Sequence, residues 1–166
     1  MTALTIEDGK LFVSKLLAGD VFDKFYARES TINTFAEFKL GGSLNKDYYS
    51  DDEREVLGGR SLCLWSEIRP LAYNIIKGHK LPVSFQFVLQ LSDENMRWLL
   101  ERNQSAIKPE DVQGLYMNLR YEKNIFTCVT GISFKTFILD KTFDHLWDET
   151  VKTFFRQHHI AFTENI

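Results

Sequence analysis

VQGLYMNLRYEKNIFTCVTGISFKTFIL, residues 112–139, is the stretch whose reading decides the fold. Its first limb alternates: Leu115, Met117, Leu119 and Tyr121 share one phase, while Tyr116, Asn118 and Arg120 share the other. Successive side chains of a strand point to opposite faces, so the pattern predicts a strand buried on one side only. The second limb puts Phe126, Cys128, Thr130, Ile132, Phe134, Thr136 and Ile138 in one phase, after a short turn at Glu122-Lys123-Asn124. Two such limbs predict a long hairpin that the rest of the chain is built to cover. Gly131 falls mid-run on the opposite phase and predicts a bulge or a close backbone approach.

Upstream of the hairpin, Val83, Phe85, Phe87, Leu89 and Leu91 alternate with Ser84, Gln86, Val88 and Gln90, which predicts another half-buried strand over 81–91. A helix capped by Ser92 and carrying Met96, Leu99 and Leu100 links it to the hairpin. Before that strand, residues 67–77 read as a helix with Ser66 as N-cap, Pro70 tolerated in the first turn and Gly78 in the left-handed C-terminal position. Residues 26–40 read as two strands or one bent strand, closed by Gly41-Gly42, and 8–18 as a first helix capped by Asp8. Downstream, Phe143, Leu146, Trp147, Val151, Phe154 and Phe155 keep a helical period over 140–157, with Asp140 as cap. Leu115, Met117 and Leu119 are expected to meet this helix through Trp147 and Phe154. The tail after Ile160 is expected to be weakly ordered unless it adds an edge strand.

The charged segment 43–59, bounded by double glycines, reads as an exposed mobile connection with one helical turn near 52–57. No linker or repeat divides the chain, so 1–166 is read as a single domain. The expected fold is α+β: a mainly antiparallel sheet of about five strands with three to four amphipathic helices packed largely on one face.

With 44% apolar residues, 14 phenylalanines and three tryptophans, the chain has the composition of a folded domain with an aromatic interior. A net charge of −3 gives no overall attraction for phosphate backbones or anionic lipid, so nucleic acid and membrane are not the default partners. Cys63 and Cys128 have no metal-ligand spacing and read as buried thiols of a reducing compartment, which places the protein in the cytoplasm.

Candidate chemistry is sparse. Asp144, His145, Asp148 and Glu149 cluster on the terminal helix, but helix dipole and solvation already account for acids there, and no metal is assigned. His158 and His159 read as helix-terminal residues, and no serine lies in a GxSxG elbow. No cofactor is implied. Two clusters stand as binding candidates. Arg69, Lys77, His79 and Lys80 could present several cations to an anion, and Tyr116, Asn118 and Arg120 lie on the strand face that core packing does not use.

Trp65-Ser-Glu-Ile-Arg-Pro70, Ile76-Lys-Gly-His-Lys-Leu-Pro82, Gly114-Leu-Tyr-Met-Asn-Leu-Arg-Tyr121, Thr130-Gly-Ile-Ser133, Leu139-Asp-Lys-Thr-Phe-Asp144 and Trp147-Asp148 carry a resemblance over nearly the whole chain. The sequence resembles an uncharacterised bacterial family of about this length, found mainly in clostridial-type Firmicutes and catalogued as a domain of unknown function. The resemblance implies a small cytoplasmic bacterial protein and brings no catalytic residue with it. The leading expectation for function is therefore a non-enzymatic binding or adaptor protein, with a protein partner or a second copy of itself bound through the sheet or an edge strand. The alternative is a small-molecule or anion-binding domain, or an enzyme, using the basic cluster with 43–59 as a lid. Nucleic-acid binding stands third.

Overall fold

The structure, a computed structural model, describes residues 1–78 and 80–165. The predicted hairpin forms its centre. β5 (Val112–Glu122) and β6 (Ile125–Phe134) pair antiparallel from Glu122↔Ile125 to Val112↔Phe134. The turn is tighter than the sequence predicts. Lys123 and Asn124 take φ of 52° and 64°, the left-handed pair that a two-residue hairpin turn requires. β6 ends at Phe134, and 135–141 leads irregularly into the last helix.

The sheet has seven strands, not about five, and the order β3-β2-β4-β5-β6-β1-β7 is antiparallel throughout. The stretch 26–40 resolves into two strands, β2 (Tyr26–Asn33) and β3 (Glu37–Gly41), and β4 is Ser84–Gln90. The strands beyond expectation are β1 (Ala3–Ile6) and β7 (Phe162–Asn165), which pair with each other from Ala3↔Asn165 to Ile6↔Phe162. The tail after Ile160 is thus the edge strand.

Five α-helices stand among the described residues: α1 (Gly9–Val13), α2 (Asp51–Leu57), α3 (Trp65–Ile76), α4 (Asp93–Arg102) and α5 (Thr142–Gln157). Asp8 caps α1, its carboxylate accepting from Leu11 N–H, and Ser92 caps α4 through Asn95 N–H. α1 continues as a π-turn over Ser14–Ala18, closed by Gly19 N–H donating to Ser14 C=O at 2.8 Å. The wider turn lets Leu16 and Leu17 both bury. The acidic segment folds as α2, whose Ser50 and Glu53 form a reciprocal capping box and which buries no residue.

α3 corrects the sequence reading. It begins at Trp65, and its N-cap is Leu64, whose N–H is accepted by the Glu67 carboxylate at 2.8 Å, rather than Ser66. Pro70 is therefore the sixth helical residue, beyond the first turn, and the N–H that would pair with the Ser66 carbonyl is missing. Trp65 explains the start: fully buried, it donates Nε1–H to Leu16 C=O at 2.8 Å and lies against Phe87. Anchoring the indole moves the helix start two residues upstream of the sequence signal.

One face of the sheet holds the core. Leu4, Ile32, Phe85, Phe87, Leu89, Leu115, Met117, Leu119 and Cys128 are all buried in one cluster with Met96, Leu99 and Leu100 of α4 and Phe143, Trp147, Val151 and Phe155 of α5. Phenylalanine fills it through edge-on contacts, Phe12 meeting Phe22, Phe126 and Phe155 with centroids 5.8–6.4 Å apart. Trp147 reaches β5 as expected, donating Nε1–H to Tyr116 C=O. Phe154 does not: its ring packs on Phe22 and Phe25.

Two glycines are required by close approach. Gly131 sits in regular register opposite Tyr116, so the predicted bulge is absent there; the bulges lie between Ala27 and Glu29 and between Val112 and Gly114. At Gly114 a Cβ would run into the Tyr116 ring, which lies back along its own strand. At Gly42 a Cβ would strike the Ala27 carbonyl, and Gly42 there receives Cys63 N–H and donates to Arg28 C=O. Gly42 thus serves a backbone contact, not only the end of a hairpin.

Candidate functional site

The helices cover one side of the sheet, and the other side is bare. Register assembles that side from all seven strands. Lys39, Thr31, Gln86, Arg120, Thr127, Thr5 and Thr163 form one cross-strand row. Beside it run Glu29, Val88, Asn118, Val129 and Ala3, and then Gln90, Tyr116 and Gly131. Tyr116, Asn118 and Arg120 therefore sit together at the centre of the open face, as their alternation predicts.

Several of these side chains are held in place. Asn118 donates Nδ2–H to Val129 C=O at 3.2 Å, and Arg120 pairs with Glu122 at 3.1 Å. Arg28 lies 5.6 Å over the Tyr116 ring and donates Nη1–H to Gln90 Oε1 at 3.2 Å. The guanidinium–ring stack and the small residues Ala3 and Gly131 leave a flat surface of fixed side chains. Its charges balance in sign, Arg28, Lys39 and Arg120 against Glu29, Glu37 and Glu122. Arg28 was not among the sequence candidates. The bulge after Ala27, for which the sequence carries no local signal, brings Arg28 and Glu29 to this face together.

Of the predicted cations, Arg69 stands apart from Lys77 and Lys80. Arg69 forks onto Asp23, Nε and Nη2 donating to the two carboxylate oxygens at 2.8 and 2.9 Å, with Nη1 near Leu17 C=O. The Asp23 carboxylate raises the Arg69 pKa above its ordinary value, and the pair ties α3 to the segment before β2. Eight residues of helical rise, about 12 Å, separate Arg69 from Lys77. Lys77 and Lys80 line a cavity of 740 Å³ between the β2–β3 hairpin and the end of α3, with Phe35, Phe38 and Ile75. No residue of 43–59 lines it. His79 lies outside the described residues.

The remaining titratable groups are absorbed by packing. Asp148 is buried and accepts from Thr130 Oγ1 and from the Met1 ammonium, while Lys152 bridges Glu149 and Glu164 at 2.9 and 2.8 Å. The Lys152 pKa is raised, first by its hydrogen bond to Glu164 and then by that to Glu149. His158 caps α5 with its N–H on Phe154 C=O and stacks against the Phe154 ring. Burial raises the Cys128 thiol pKa far above its ordinary value and that of Cys63 to a lesser extent, so neither is an activated nucleophile. Among the described residues no three His, Cys, Asp or Glu side chains converge as a metal set, and no helix is long and apolar enough to cross a membrane.

No curated protein and no solved structure matches the chain. A family model does, over residues 15–163, which takes in every element described above except β1, α1, the first residue of the π-turn and the last two residues of β7. The chain belongs to DUF5721, a family of unknown function.

Proposed function

We propose that this protein is a non-catalytic binding module of the bacterial cytoplasm that docks a protein partner on the open face of its sheet. The observation that carries the reading is the bare face itself: a surface spanning seven strands, with Tyr116, Asn118 and Arg120 at its middle and, among the described residues, no helix over it. Tyr116 and Arg120, residue types enriched in protein interfaces, stand at the middle beside Val88 and Val129, with Lys39, Glu29, Glu37 and Glu122 around them. Balanced charge gives no preference for a polyanion, which argues against nucleic acid on this face. The free thiols Cys63 and Cys128 support a reducing compartment.

The test is photo-crosslinking in cells from a benzophenone amino acid at position 118 or 129, compared with position 97 on the helical side. One discrete protein adduct from the sheet positions and none from position 97 supports the reading, and an adduct of twice the chain mass identifies a second copy. Equal adducts from both sides, or none from the sheet, would refute it.

A further inference from the structure

Two cavities open on the helical side, where α1, the end of α3 and the tips of two hairpins meet. The first, of 510 Å³, is walled by Val13, Pro82, Phe85 and Phe126 and has Lys10 and Asn124 among its lining residues. The second is the 740 Å³ cavity that holds Lys77 and Lys80, together with Asn74 and Thr34. Ile76 and Leu81 line both, so the two are lobes of one trough. Each lobe falls in the range of about 300–1,000 Å³ typical of small-molecule sites.

The polar groups of this trough are of one kind. Three lysines line it and no Asp or Glu does among the described residues, although the chain carries a net charge of −3. None of Lys10, Lys77 and Lys80 is in an ion pair among the described residues. Asn124 Oδ1 already accepts the Tyr121 hydroxyl at 2.9 Å, so its amide offers the trough N–H donors. Thr34 Oγ1 is buried with no partner among the described residues. Phe35, Leu81 and Val83 stand 94%, 77% and 70% exposed at the lip. Apolar walls with cationic donors and no acceptor charge fit a molecule with an apolar body and an anionic end. A second copy seated here by two-fold symmetry would set lysines against lysines, which disfavours it.

We propose that the trough binds a fatty acid, its alkyl chain between Val13, Phe85 and Phe126 and its carboxylate at Lys77 and Lys80. The inference is independent of the sheet-face reading, since these walls belong to the opposite side of the sheet.

Calorimetric titration with decanoate tests it, with decanol and decyltrimethylammonium as chain-matched probes. Decanoate should bind saturably at one per chain and about tenfold or more tighter than decanol, as expected for a charge-assisted hydrogen bond, and the cation should not bind. Lys77→Gln/Lys80→Gln should reduce decanoate to the affinity of decanol. Leu81→Glu, at an exposed position, should abolish binding of both with unchanged thermal unfolding, while Val129→Glu on the sheet face should leave decanoate binding intact. Absence of saturable binding, equal affinity for decanol, or indifference of the double lysine variant would overturn the assignment. So would self-association of the unliganded protein that Leu81→Glu removes, which would make the trough a contact between copies.

Discussion

The indole N–H of Trp147 donates to the main-chain carbonyl of Tyr116 over 3.0 Å, tying the inner side of α5 to the strand whose outer side is the candidate docking surface. Trp147→Phe keeps the ring in the core and deletes only the donor and part of the volume. The carbonyl also belongs to the β5–β6 ladder at Tyr116↔Gly131, so the expected loss from the missing donor is about 0.5–1.5 kcal/mol, the net contribution of one hydrogen bond, read from urea unfolding. An unchanged midpoint would mean that water replaces the indole at this carbonyl.

Asp23 and Arg69 form another long-range polar tie, their side chains only 19% and 22% exposed. Asp23→Asn leaves the guanidinium without its counter-charge and should cost about 1–3 kcal/mol. Partial burial shields the pair, so raising salt to about 0.5 M should change this loss little. A loss that vanishes in salt would place the pair at the surface instead.

Gly114 and Tyr116 should be energetically coupled. Gly114→Ala forces the Tyr116 ring off its own strand, and in a Tyr116→Ala background that ring is no longer in the way. The double-mutant cycle should therefore show the glycine substitution costing less in the second background. Equal costs in both would show that the ring does not set the glycine requirement.

Arg60 donates to Glu67 and, with the Leu64 N–H, holds the Glu67 carboxyl below its ordinary value of 4.5. A carboxylate depressed by folding contributes stability that is present above its unfolded pKa and lost as pH falls through the folded one. The stability difference between the wild type and Glu67→Gln should accordingly be full near neutrality and shrink on acidification below 4.5. A difference independent of pH would remove Glu67 as its source.

Cys128 is fully buried at the centre of the sheet and Cys63 is half-buried beside β2. A thiol reagent should label Cys63 slowly in the native state and Cys128 only at the rate of global unfolding. Native-state labelling of Cys128 at the Cys63 rate would contradict the register Leu119↔Cys128↔Leu4.

The parts legible in the sequence were those with a strong local period. The β5–β6 hairpin, the β4 strand, α4 behind Ser92 and the apolar stripe of α5 all declare themselves within a dozen residues, and so does the outward set Tyr116, Asn118 and Arg120. What escaped depends on distant partners. β1 and β7 have four residues each and become strands by pairing across almost the whole chain, from Ala3 to Asn165. Arg69 looked free beside Lys77 because Asp23, which claims it, lies on another segment. Lys10 joins Lys77 and Lys80 at one trough only through Ile76 and Leu81, a convergence that no spacing announces. Gly131 misled for the converse reason: a glycine opposite a large Tyr116 gives a flat patch without disturbing the ladder.

The two outermost strands decide how copies of this molecule can meet. β3 and β7 have five and four residues and present Glu37 and Lys39 at one margin and Glu164 and Asn165 at the other. Short, charged margins resist the addition of a further strand, so the sheet does not extend sideways into a ribbon of molecules. For the docking proposed above, this leaves the broad side, and not the margins, as the surface that receives a partner.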